Sequence, residues 1–138
     1  MNLDDFIKVD EEIDERYQIY SIEQIKIFNH VLHADDWEVF GVFISRETTI
    51  ENVAEILFNY LTWLTDCEKE LRGFYERELK EKVSDVWYKT IEVYSACIVF
   101  NSEDDYGASV HCGDYLMSDH ILEFDIEKRN VVAVRLNG

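Results

Sequence analysis

The chain has 138 residues, of which 30 are Asp or Glu and 13 are Lys or Arg, so its formal net charge is -17. Hydrophobic residues make up 47% and aromatic residues 14%, which excludes an intrinsically disordered chain and is enough for a folded core. A charge of this sign excludes direct binding to nucleic acid or to anionic membranes, because both require clustered Lys and Arg. It favours a basic protein partner, or it serves only to keep the protein soluble.

The chain contains no proline, internal repeat or linker, which predicts a single domain over residues 1–138. Residues 1–15 hold seven acids and one lysine and are expected to form an acidic N-terminal arm or a short helix. The N-terminus lacks the basic and apolar regions of a signal peptide. Three widely spaced cysteines (Cys67, Cys97 and Cys112) are typical of reduced thiols. Together these features predict a cytoplasmic protein.

The first third of the chain has the composition of β-structure. Residues 17–20 predict a short edge strand, and residues 24–33 and 37–44 predict two longer strands rich in bulky and branched side chains. Turn residues 34–36 between these two strands indicate an antiparallel hairpin. Gly41, inside the second strand, indicates a bulge or a close approach of the backbone.

The middle third changes to the spacing of helices. From Thr49, an acceptable N-cap, apolar residues recur every three or four positions as far as Leu64. After a break at residues 65–66, a second helical pattern extends to Val83. For this helix Thr65 and Glu68 predict a capping box.

The second helix also predicts ion pairs one turn apart, Glu68 with Arg72 and Glu76 with Lys80. In the last third, residues 91–100 and 106–111 predict two strands joined by a loop, and residues 119–126 and 131–136 predict a C-terminal hairpin. Strands, then helices, then strands predict an α+β fold, an antiparallel β-sheet with a central helix pair packed on one face.

Candidate metal ligands concentrate near the C-terminus, where His111, Cys112, Asp114, Asp119 and His120 are residue types that bind zinc. Their spacing matches neither HExxH nor CxxC, and adjacent residues of a strand, such as His111 and Cys112, point to opposite faces. We therefore expect no metal and no cofactor. A small metal-dependent hydrolase that uses His111, Asp114 and His120 remains the alternative.

A catalytic nucleophile is also not expected. Asp114 and Asp119 beside Cys112 disfavour its thiolate. The acid pairs Asp35–Asp36 and Asp104–Asp105 are typical of solvated turns. A glycine-rich phosphate loop and a nucleophile elbow are both missing from the sequence.

The C-terminal stretch GASVHCGDYLMSDHILEFDIEKRNVVAVRLNG, preceded by WEVFGVFI, an amphipathic helix pair and Trp87, resembles a group of small bacterial α+β domains. Many members of this group are immunity proteins of polymorphic-toxin and contact-dependent growth inhibition systems. The resemblance implies a non-enzymatic inhibitor without catalytic residues, whose partner-binding surface varies between members.

Acidity and resemblance together predict an immunity protein that neutralises a cognate toxin, a basic nuclease, by occluding its active site. Exposed tyrosines beside acidic loops are expected to anchor the partner. The predicted contact residues are Asp35, Asp36, Glu103, Asp104, Asp105, Tyr106, Asp114, Tyr115 and Asp119. A scaffold or regulatory subunit of a homo-oligomer is a further hypothesis.

Overall fold

A computed structural model describes residues 1–10, 12–34 and 36–137. Its α+β architecture, a large sheet with two central helices, confirms the predicted fold class. After a 3₁₀ turn at Leu3–Asp5, the elements are β1 (Phe6–Lys8), β2 (Tyr17–Ile22), β3 (Gln24–Ile27), β4 (His30–His33), β5 (Phe40–Ser45), α1 (Ile50–Thr65), α2 (Glu68–Leu79), α3 (Trp87–Thr90), β6 (Glu92–Phe100), β7 (Tyr106–Gly113), β8 (Ile121–Glu127) and β9 (Asn130–Asn137).

Seven strands form one sheet in the order β1-β2-β5-β6-β7-β8-β9. All neighbouring strands are antiparallel, as predicted, except β5 and β6, which are parallel. The chain between β5 and β6 contains all three helices, and such a long crossover is what parallel neighbours require. The acidic N-terminal arm contributes β1, a short strand at the edge of the sheet.

The predicted hairpin between residues 24–33 and 37–44 is wrong. Residues 24–33 fold on themselves, because the chain reverses at Phe28 and Asn29 and pairs β3 with β4. Both turn residues have left-handed φ angles of 51° and 63°, the combination found in two-residue hairpin loops. Since Phe-Asn is not a typical sequence for such a turn, the composition of this segment indicates one continuous strand.

Tertiary contacts explain why this turn forms. The Phe28 amide donates a hydrogen bond to the carbonyl of Leu64 at 2.9 Å, and the Asn29 amide donates to that of Thr65. The hairpin tip therefore satisfies carbonyl groups at the C-terminus of α1 that lack partners within the helix. The Phe28 ring is fully buried, with its centroid 6.2 Å from that of Phe124.

The start of α1 confirms the sequence prediction, whereas the start of α2 does not. Thr49 caps α1, because its hydroxyl accepts a hydrogen bond from the Asn52 amide at 3.2 Å. The capping box predicted for α2 is absent: the Thr65 hydroxyl donates to the Leu61 carbonyl at 2.9 Å. Cys67 precedes α2 and makes no side-chain cap. Thr65 is still part of the last turn of α1, so its hydroxyl bonds backwards.

Of the two ion pairs predicted for α2, one is confirmed. Arg72 contacts Glu68 at 2.7 Å, as predicted. Lys80 adopts a left-handed conformation with φ of 59° and ends the helix, so it does not continue the helical register that a pair with Glu76 requires. The Glu76 carboxylate instead accepts a hydrogen bond from the Val83 amide at 2.8 Å.

The sheet buries one face against α1, α2 and the β3–β4 hairpin. On the opposite face, cross-strand register brings small side chains into one row: Ser21, Gly41, Cys97 and Ser109. A Cβ atom on Gly41 would lie 2.7 Å from the Trp37 carbonyl oxygen, which confirms the predicted close backbone approach.

Among the helices of residues 1–10, 12–34 and 36–137, none has the length and apolar composition of a membrane span.

Replacing Phe28 by Ala should lower the free energy of unfolding by about 3–5 kcal/mol, because a fully buried ring is removed. Asn29→Gly is the matched control, since glycine adopts the same φ readily, and should change it by less than about 1 kcal/mol. Urea denaturation followed by circular dichroism measures both. A small loss for Phe28→Ala would contradict the role given to this ring.

Candidate functional site

The predicted contact residues fall at opposite ends of the sheet. Glu103, Asp104 and Asp105 lie in the loop between β6 and β7, whereas Asp114, Tyr115 and Asp119 follow the far end of β7. The two groups are separated by the length of β7, which extends over Tyr106–Gly113. At a rise of about 3.4 Å per residue, this distance is roughly 25 Å.

One further predicted contact belongs to the far end. Asp36 precedes β5, which runs parallel to β6, so it lies at the same end as Asp114. Its exposed carboxylate accepts a hydrogen bond from the Glu38 amide at 2.8 Å. Asp35 lies outside the described residues.

Tyr106 is not the exposed anchor that was predicted. Its ring is half-buried on the core face, stacked 4.8 Å from Phe100 and edge-on 5.0 Å from Tyr60. The reason is register: Tyr106 pairs with Phe100, and directly paired residues share a face of the sheet.

Asp114 is likewise not an exposed contact residue, because only 7% of its surface is accessible. Its carboxylate accepts hydrogen bonds from the Trp87 indole and from the Met117 amide, both at 2.8 Å. A buried carboxylate is retained where N–H donors replace its lost water. Asp114 therefore holds the loop of residues 114–120 against the core.

This loop forms one wall of a cleft at the far end of the sheet, which we name the tyrosine cleft. Its volume is about 260 Å³, and its lining residues are Thr90, Glu92, Tyr94, Gly113, Asp114, Tyr115, Ser118 and His120. Tyr94 is 48% and Tyr115 is 47% exposed, and all other aromatic side chains in the described ranges are buried or half-buried. Leu116, Asp119 and Ile121, also exposed, lie in the same loop or directly after it.

Tyr94 reaches the cleft through two features of the backbone. The register between β6 and β7 shifts between Val93 and Ser95, which leaves Tyr94 without a partner on β7. A bulge of this kind re-aims a side chain. The Tyr94 ring then lies against Gly113, where a Cβ atom would overlap its hydroxyl group.

Sequence reasoning identified Tyr115 and Asp119 but missed Tyr94, Glu92, Leu116 and Ile121. Period-two patterning assigns Tyr94 to the sheet and contains no sign of the bulge. The one available signal was Gly113, because a glycine at a strand end often marks a close approach of another group.

The hydrolase alternative required His111, Asp114 and His120 to converge; the structure places Asp114 and His120 on the tyrosine cleft and His111 apart from them. His111 lies on the open face of the sheet, with its Nε2 atom 2.8 Å from the Glu123 carboxylate. Asp114 is bound to Trp87. Over the described ranges, no three His, Cys, Asp or Glu side chains are placed to share a metal ion.

His111 belongs to a charged cluster on strands β7, β8 and β9. Arg135 pairs with Glu123 and lies 2.6 Å from the Asp125 carboxylate. The hydrogen bond from Arg135 lowers the pKa of Glu123, although partial burial opposes the shift. Burial is also the main cause that raises the pKa of Asp125.

The thiols are not activated for nucleophilic chemistry. Burial raises the pKa of Cys112 to about 12, and the nearby Asp114 carboxylate acts in the same direction. Burial likewise raises the pKa of Cys67 to about 12 and shifts that of Cys97 upward. Reactive cysteines show the opposite shift.

Comparison with known proteins adds no relative: no family model matches the chain, and neither a curated protein nor a solved structure matches significantly.

Asp114→Ala should lower the free energy of unfolding by about 1–3 kcal/mol, because it leaves the buried Trp87 N–H without an acceptor. Asp119→Ala, an exposed neighbour in the same loop, is the matched control and should stay within about 0.5 kcal/mol of the parent. Urea denaturation measures both, and equal losses would contradict the structural role of Asp114.

Thiol alkylation near neutral pH should be slow in the folded protein. The raised pKa values leave little thiolate, so Cys67 and Cys112 should react at least about 100-fold more slowly than in urea. Cys97, only half-buried, should react first, and Cys97→Ser should remove that phase. Mass spectrometry of iodoacetamide-treated protein follows each site; reaction of Cys112 at its unfolded rate would overturn the assignment.

Proposed function

We propose that this chain is an immunity-type inhibitor, a non-enzymatic protein of the bacterial cytoplasm that binds a basic toxin domain. The proposed target is a nuclease, whose nucleic-acid groove the inhibitor occludes. The observation that carries this proposal is the tyrosine cleft, in which two half-exposed tyrosines lie beside acidic residues on a chain of net charge -17.

Tyr94 and Tyr115 have the properties of interface anchors. Tyrosine offers a large rigid surface with a polar tip and is enriched among the residues that contribute most to binding. Tyr94 is held by Gly113, and the loop of Tyr115 is held by Asp114 through Trp87 and Met117. A partner therefore meets side chains whose supporting backbone is already positioned, which reduces the entropy cost of binding.

The acids supply orientation and speed of encounter. Glu92 lines the cleft and Asp119 is exposed in its loop, and the whole chain attracts a basic surface before contact. Charges at an interface mainly raise the association rate and exclude wrong partners. Desolvated aromatic anchors mainly set the dissociation rate.

The first experiment identifies the partner. The tagged chain is used to capture proteins from a lysate of its native host at low salt and again at high salt, and retained proteins are identified. The proposal requires one basic partner with nuclease activity that is silenced when the two purified proteins are mixed. If many basic proteins are retained only at low salt and no activity is inhibited, the proposal is contradicted, and the acidic charge serves only solubility.

Variants at the two ends of the sheet then locate the interface. Tyr94→Ala and Tyr115→Ala should each weaken binding at least about tenfold, mainly through faster dissociation. Reversal of Asp104 and Asp105 to Lys at the opposite end should slow association and flatten its salt dependence, with little change in dissociation. Surface plasmon resonance at several salt concentrations separates these effects.

The control is Glu55→Gln, an exposed change on α1 that belongs to neither set of predicted contacts and should leave the dissociation rate unchanged. If both tyrosine variants bind like the parent while Asp104 and Asp105 reversal speeds dissociation, the interface lies at the β6–β7 loop and the tyrosine cleft is not the site.

A further inference from the structure

A second cleft lies between α2 and the turn that joins β8 to β9. Its volume is about 260 Å³, and it is lined by Lys69, Glu70, Gly73, Phe74, Arg77, Arg129, Asn130 and Val131. Cations outnumber acids three to one in this lining, whereas acids outnumber cations 30 to 13 in the whole chain. The local inversion of charge distinguishes this surface from the acidic remainder.

The helix arranges its share of the cleft on one face. Lys69, Gly73 and Arg77 are spaced four residues apart, so they lie in one row along α2. The Arg77 side chain folds back along this row, and its Nη1 atom lies 3.5 Å from the position that a Cβ of Gly73 would occupy. Its guanidinium carbon lies 6.0 Å from the centroid of the Phe74 ring.

The three cations keep their hydrogen-bonding capacity for a ligand. Within the described part of the chain, no carboxylate lies within 4.0 Å of Lys69, Arg77 or Arg129. Arg72 and Arg135, by contrast, each pair with two carboxylates.

Gly73 is an independent observation that points to the same place. Glycine inside a helix destabilises the fold relative to alanine, and it persists where space or backbone conformation requires it. Neither reason applies to Gly73. Its φ is not positive, and an added Cβ would contact only the tip of the Arg77 side chain, at ordinary van der Waals distance. Because Gly73 has no side chain, the base of the cleft between Lys69 and Arg77 stays open.

We propose that this cleft binds a phosphate group. Two guanidinium groups and one ammonium offer many N–H donors to a tetrahedral dianion, and planar guanidinium forks match phosphate oxygens. Asn130 adds a neutral amide at the rim. Glu70 in the lining, and Asp104, Asp105 and Glu127 in the pocket that adjoins the cleft at Asn130, oppose binding. Acids farther away than about 8 Å are largely screened at physiological ionic strength.

This proposal goes beyond toxin inhibition and does not depend on it. The tyrosine cleft lies beyond the ends of β7 and β8 that are farthest from the β8–β9 turn. Failure of either proposal therefore leaves the other intact.

Titration of the ¹⁵N-labelled full chain with inorganic pyrophosphate provides the test. The Gly73 amide should shift saturably, whereas Gly41 and Gly113, which lie outside the cleft, should stay in place. Arg77→Ala and Arg129→Ala should each weaken binding about tenfold or more. Lys26→Ala, which removes an exposed cation on β3, should have no effect.

Gly73→Ala separates binding from folding. The substitution should raise the urea midpoint of unfolding, because alanine favours the helix. It should also weaken pyrophosphate binding, because the added methyl group occupies the base of the cleft. A phosphoserine peptide forms a second arm: tighter binding than pyrophosphate indicates a phosphorylated protein, and weaker binding indicates a free phosphate compound.

Three results would overturn the proposal. These are the absence of a saturable Gly73 shift, unchanged pyrophosphate binding by Arg77→Ala, and tighter binding of a polyglutamate peptide than of either phosphate probe. All the truncated cations are exposed, so the variants are expected to fold, and circular dichroism verifies this.

Discussion

The hydrogen bond from the Trp87 indole to the Asp114 carboxylate is the contact on which the rest of the structure depends. Trp87 is fully buried and stacks on Tyr75 at 4.9 Å, and Tyr75 in turn packs edge-on against Phe124. Through these contacts α2, α3, β8 and the loop after β7 form one unit. Burial of a carboxylate is unfavourable by itself, but two N–H donors offset it here.

The same contact decides what the far end of the sheet presents to solvent. Asp114 is withdrawn into the core, and its loop is thereby fixed with Tyr115 outward. The bulge at Tyr94 and the missing side chain of Gly113 complete the arrangement from β6 and β7. A buried acid thus positions an exposed aromatic surface.

Charge is distributed unevenly over the molecule. Acids cluster in the β6–β7 loop at one end of the sheet and beside the tyrosine cleft at the other, while three cations line the cleft between α2 and the β8–β9 turn. Because screening limits each charge to its neighbourhood, one protein of net charge -17 can carry two surfaces of opposite charge, the tyrosine cleft with its acids and the basic cleft beside α2. The two surfaces lie at different ends of the sheet, so they can act independently.

The sequence by itself determined the features that depend on residues close together in the chain. These are the Thr49 cap of α1, the Glu68–Arg72 ion pair and the C-terminal hairpin of β8 and β9. Only the tertiary structure decided the turn at Phe28, which exists because the end of α1 requires hydrogen-bond donors, and the parallel pairing of β5 with β6. It also decided that Tyr106 and Asp114 are withdrawn while Tyr94 is exposed. Period-two patterning does not reveal a bulge or the direction in which a loop side chain points, since both result from contacts between residues far apart in the chain.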